Sequence, residues 1–149
     1  MLDLANRVKA VQAIGPVTAT ADITTGSVDR QGYESLAFLI GVGIGGITFD
    51  GTNKIDYRLQ HSDDNSTWVD CVAADAAIIL PTGAVGVMGA TGIVRSLTAA
   101  HAAASITKVG YIGPKRYARI LPDFSGTHAT GTPHSVVAIL SDGPIPAGV

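Results

Sequence analysis

At 149 residues the chain has room for one domain with a proper core. Hydrophobic residues at 46% and charged residues at 15% exclude a disordered chain, and a formal net charge of -2 with scattered basic residues argues against nucleic acid as a partner. The low charge, with a mean hydropathy of +0.33, is instead what a surface partly covered in an oligomer or a larger assembly would have.

Residues 2–14 show a weak helical pattern, with Leu4, Val8 and Val11 on one side and Asp3 as a cap, ended by Gly15-Pro16. The same residues suit an extended arm lying on a neighbour, and the expected contacts of that arm are Leu4, Arg7, Val8, Lys9, Val11 and Ile14. The start lacks the basic-then-apolar order of a signal peptide, and no apolar run reaches the length of a membrane span. The expectation is therefore assembly in a cytoplasm with no membrane partner.

Alternation in Val17–Thr25 predicts a strand, and the apolar run Leu36-Ala37-Phe38-Leu39-Ile40 a central one. Gly41–Asn53 reads as a glycine-rich loop. Ile55, Tyr57 and Leu59 then alternate with Lys54, Asp56, Arg58 and Gln60, a strand with one buried face. Ser62-Asp63-Asp64-Asn65-Ser66 closes a turn, and Trp68–Val72 resumes the strand as a hairpin. Residues 73–103 are rich in alanine and glycine, with a short strand at Ile78-Ile79-Leu80 and a helical turn or loose insertion over Thr98–Ala104. Ser105–Gly113 and Lys115–Leu121 read as a second hairpin about Gly113-Pro114, and Ser135–Leu140 as a last strand. The expected core is Leu36, Phe38, Ile40, Tyr57, Leu59, Trp68, Val109, Tyr111, Ile120, Val137 and Ile139.

This pattern predicts an all-β, single-domain antiparallel β-sandwich, jelly-roll-like, with an N-terminal arm. The expected division is an arm over 1–16, the sandwich over 17–141 and a proline-rich surface tail over 142–149.

The sequence offers no catalytic apparatus. Gly41-Val42-Gly43-Ile44-Gly45-Gly46 fits G-x-G-x-x-G, but Ile47–Asn53 read as a turn where a dinucleotide site needs a helix. No G-K-[ST] follows a glycine-rich loop. Asp63, Asp64 and Asn65 do not have EF-hand spacing and are read as turn residues. His61, His101, His128 and His134 form no H-x-x-x-H pair, and no G-x-S-x-G supports a nucleophile. The lone cysteine, Cys71, excludes a disulfide framework within the chain and reads as a small buried side chain. Trp68 has two readings, a core anchor or a ring offered to a sugar. The expectation is a protein that is no enzyme and needs no cofactor or metal.

Four segments in order carry a family resemblance. They are Asp3-Leu4-Ala5-Asn6-Arg7-Val8-Lys9, Asp29-Arg30-Gln31-Gly32-Tyr33-Glu34-Ser35, His61-Ser62-Asp63-Asp64-Asn65-Ser66-Thr67-Trp68 and Val109-Gly110-Tyr111-Ile112-Gly113-Pro114-Lys115-Arg116-Tyr117-Ala118-Arg119. Together they resemble the head decoration, or cement, proteins of tailed bacteriophages. The resemblance implies a virion structural protein on the capsid surface. Its partners would be the major capsid protein and further copies of itself, and it transfers no catalytic residues. Three-fold positions on an icosahedral shell favour a homotrimer. The alternatives are a neck or tail virion protein, or a carbohydrate-binding sandwich for host attachment that uses Trp68 and the loop acids.

Overall fold

Alternating strands bury their apolar faces when two sheets pack face to face. The computed structural model describes residues 4–141 and adopts this arrangement. The expected tail over 142–149 and the first residues of the arm lie outside the described residues.

The strands are β1 (Val8–Ala19), β2 (Val28–Asp29), β3 (Ser35–Val42), β4 (Lys54–Ser62), β5 (Val69–Asp70), β6 (Ala76–Ile79), β7 (Val85–Gly86), β8 (Ile93–Leu97), β9 (Ser105–Tyr111), β10 (Tyr117–Ser125) and β11 (Thr132–Ser141). One sheet has the order β1-β11-β3-β9-β6-β7. The other has the order β2-β10-β4-β5, with β8 also paired to β4. All the pairings are antiparallel. The chain therefore switches sheets at each step from β1 to β4 and again from β8 to β11. Such alternation is the topology of a jelly roll, with β6 and β7 added at one edge. Among the described residues no helix is long and apolar enough to cross a membrane.

Phe38, Ile40, Ile55, Tyr57, Leu59, Val109, Ile120 and Val136 meet between the sheets and are wholly buried. The β3, β4, β9 and β10 members of the expected core are among the buried residues. The other three differ. On β11 the buried set is Val136, Ala138 and Leu140, so Val137 and Ile139 point outward and are half-buried. Trp68 is also half-buried, outside the core.

Two connections differ from expectation. Gly113-Pro114 does not close a hairpin: β9 pairs with β3 and β6, while β10 pairs with β4 and β2, so the turn carries the chain from one sheet to the other. The hairpin after β4 exists but is short, joining only Gln60 to Asp70 and His61 to Val69. Thr98–Ala104 forms neither helix nor strand.

The N-terminal segment is neither a helix nor a detached arm. Residues 8–19 run as the edge strand β1 on β11, with register shifts between Gln12 and Ile14 and between Ile14 and Val17. A bulged edge strand tolerates proline, because the missing N–H takes no bond from the ladder. The division at residue 16 thus falls inside a strand of the sandwich.

Candidate interaction surface

The outer faces of the two sheets differ in chemistry. On the five-stranded side, β4 and β10 present polar residues that bind one another. Arg119 donates from Nε and Nη2 to Oε1 of Gln60 at 2.9 and 2.8 Å. The Gln60 amide donates to Asp70 at 2.9 Å, and Asp70 is ion-paired with Arg58. Lys54 pairs with Asp56 at 2.6 Å, and Asp56 also accepts from the Ser96 hydroxyl. Asp56 and Gln60 are consequently buried although they lie on the outer face. The Arg119 guanidinium lies 4.1 Å from the centre of the Trp68 ring. One face of the ring is thus covered by a cation, an arrangement worth roughly 0.5–1 kcal/mol at an exposed site.

The six-stranded side is apolar on its outside. Pairing registers align its outward residues into rows. One row runs Ala10, Ile139, Ala37, Gly110, Ala77. The next runs Gln12, Val137, Leu39, Lys108, Ile79, and a third Ser135, Gly41, Ile106. Lys108 is the only charge in these rows. Small residues and glycines between Val137, Leu39 and Ile139 keep the surface low, and Ile106 stands 57% exposed at its margin. A shallow groove lined by Val17, Gly43, Ile106, Pro133 and Ser135 continues the face toward the sheet end. Contiguous apolar surface of this kind is a candidate contact surface. Period-2 reading missed it because both faces of β11 are apolar, so alternation carries no signal there.

The residues expected in the arm separate into two sets. Ile14 belongs to the core and Val11 packs against it, so neither is offered to a partner. Val8 is half-buried in the ladder. Lys9 lies 5.7 Å from the Tyr33 ring centre. Leu4, 70% exposed, and Arg7 remain accessible at the start of the edge strand.

Local bonding accounts for the loop acids. Asp64 accepts from the backbone N–H of Ser66 and Thr67 at 2.9 and 2.7 Å and from the hydroxyls of Ser62 and Thr67. These donors hold its carboxyl far below the usual carboxylate range, and they stabilise Asn65 at a φ of 58°. Asp63 pairs with Lys115 at 2.6 Å. Asp50 likewise accepts from Thr52 and Asn53, so the glycine-rich loop ends in a turn that leads into β4.

Three of the histidines gather at one end of the sandwich with Phe49, Phe124 and Tyr57. His134 Nδ1 is 2.9 Å from the Tyr57 hydroxyl and its ring meets Phe124 edge-on. His128 meets both phenylalanines, and His101 lies against Phe49. Aromatic rings separate these imidazoles, which gives a packed cluster. At the opposite end His61 contacts Tyr111, with Cys71 and Asp75 beside it.

No family model and no curated protein matches the chain. Among solved structures it is similar to the crystal structure of SPBc2 prophage-derived protein YomS, with a TM-score of 0.50 at 10% identity, over 89% of this chain and 91% of that one. At that identity the likeness is one of fold.

Proposed function

We propose that this chain is a bacteriophage virion structural protein, a capsid decoration or cement protein. It binds the outer capsid surface as a symmetric oligomer, a trimer, and bridges adjacent capsid subunits. The observation that carries the reading is the apolar outer face of the six-stranded sheet, set against a polar face whose charges are largely spent on each other. The family resemblance in the four ordered segments supports it, as does the shared fold with a prophage-derived protein. The work is mechanical. A protein that binds the assembled shell and not its dissociated subunits stabilises the shell by mass action.

The face is assigned to the shell, because a low, nearly uncharged surface of Ala, Gly, Val, Leu and Ile suits a broad contact with another flat surface. The carbohydrate reading is less favoured, because Arg119 already occupies one face of Trp68. The test is a pair of charge substitutions, Leu39→Lys and Val137→Lys, in protein added to particles that lack it. Occupancy on the particle is expected to fall at least tenfold while the purified protein keeps its fold and oligomeric state. If the substitutions dissociate the oligomer instead, the face belongs between copies. A copy number of only a few per particle would move the protein to the neck or tail.

A further inference from the structure

His61, Cys71 and Asp75 converge from three separate pieces of chain. His61 lies on the inner side of β4. Cys71 follows β5 and is tied to β4 by its N–H on the Leu59 carbonyl at 3.0 Å. Asp75 ends the short 3-10 turn Ala73–Asp75. One donor atom from each, an imidazole nitrogen, the thiol sulfur and a carboxylate oxygen, lies within 4.8 Å of the others. Donors around a tetrahedral zinc ion stand roughly 3.5 Å apart, given bonds of about 2.0–2.3 Å. The three groups therefore need to draw in by about 1.3 Å at most.

Each group is already held in place. The Tyr111 hydroxyl, 3.1 Å from His61 Nδ1, also accepts from the Lys115 N–H at 3.0 Å. It holds the ring through Nδ1, so Nε2 is the nitrogen that would take an ion, the outer-sphere arrangement by which proteins orient a ligating histidine. Asp75 accepts the Val72 N–H through one oxygen at 3.0 Å, and the Ile112 N–H binds its carbonyl at 2.8 Å. The second carboxylate oxygen is left to turn toward the thiol. His61 and Cys71 are buried and Asp75 is half-buried, so an ion has a way in past Asp75.

We propose that His61, Cys71 and Asp75 form a binding site for a divalent ion of the zinc class, with a water as fourth ligand. The donor set suits such an ion: one thiolate, one imidazole and one carboxylate balance two positive charges, so the metal site is neutral where it is most buried. On binding, the thiol proton leaves to solvent and the Cys71 sulfur takes the metal in its place. The ion would pin the loop from Ser62 to Asp75 to the end of β4, a role independent of the capsid reading.

The test is titration of tag-free, chelator-treated full chain with Co²⁺, read by absorption. The expected result is saturation at one equivalent, with a thiolate-to-cobalt charge-transfer band and the visible bands of a four-coordinate ion. Zn²⁺ should abolish both bands and raise the melting temperature. Cys71→Ala should lose the charge-transfer band. Asp75→Asn, nearly the same shape at a half-buried position, should weaken binding at least tenfold while keeping the fold. The proposal is overturned if folded wild-type protein gives no charge-transfer band at one equivalent. It is equally overturned if the band persists at unchanged affinity in Asp75→Asn and His61→Gln, since the thiol would then be binding alone.

Discussion

His134 shows how a residue that looks idle in the sequence acts through its surroundings. It sits on β11 facing inward, bonded to Tyr57 of β4 and edged by Phe124 of β10, with Val42 opposite on β3. Arg95 of β8 is the register partner of Tyr57. Burial holds the His134 imidazole below its ordinary value. The unfolded chain therefore takes up this proton first as pH falls. Its contribution to stability is intact above about pH 6.5, the ordinary histidine value. It declines as pH falls through the folded value, because the buried ring must then be charged. Urea unfolding from pH 7.5 down to pH 5 is expected to show this loss, and His134→Asn to flatten it. An unchanged pH slope in the variant would mean that other groups carry the effect. The sequence places the last strand at Ser135–Leu140, which leaves His134 just outside it, whereas the strand that encloses it begins at Thr132.

Among the elements, β11 and β1 are where sequence and structure part, for two physical reasons. In β3, β4 and β9 most inner positions are large and apolar, His61 and Thr107 being polar, and the outer ones include small, glycine or charged residues, so the phase is legible. Val136-Val137-Ala138-Ile139-Leu140 is apolar on both faces, and a period-2 rule cannot choose between them. Apolar residues on the outer face are what erase the alternation, so the misread strand and the candidate surface have one cause. The two faces separate on substitution. Val136→Asp places a carboxylate in the dry core and is expected to abolish folding. Val137→Asp is expected to cost no more than about 1 kcal/mol of stability, while reducing particle occupancy. Circular dichroism and a binding assay on the two proteins decide it, and equal stability losses would disprove the assignment of faces. For β1 the misleading signal is Gly15-Pro16, which reads as a terminator but lies at a bulge on an edge. Deleting residues 2–14 removes the paired edge from Val8 onward together with Ala13 and Ile14 of the core. The truncated chain is expected to unfold at a clearly lower denaturant concentration, which a detached arm would not produce. The Gly113-Pro114 turn was legible as a turn, but local sequence does not encode which sheet the next strand joins. The metal-type cluster was hidden for the same reason. His61, Cys71 and Asp75 match no familiar ligand spacing and meet only because β5 and the 3-10 turn fold back on β4.

At the scale of the molecule, the strand order makes β11 a structural keystone. β11 lies between β1 and β3, bonded to both along most of its length. Val8 pairs with Ser141, so the six-stranded sheet closes only when residues 8–141 are all present. Before that, β1 has no partner, and β3 has only β9. The inner residues Val136, Ala138 and Leu140 are also missing from the centre of the core. Folding must then bring together strands more than a hundred residues apart, a topology that folds on the order of milliseconds to seconds. It also exposes unpaired edges while it waits. Ending the chain after residue 131 is therefore expected to give no folded product, even though the described residues before that point include ten of the eleven strands. Size-exclusion chromatography and circular dichroism of the truncated chain provide the measurement. A monodisperse truncated protein with native-like β signal would show that β11 is an accessory strand and that the sandwich is organised around β4 and β10 alone. Aggregation or an unfolded spectrum, reversed when a peptide spanning residues 132–141 is supplied in trans, would locate the closing step of assembly at β11.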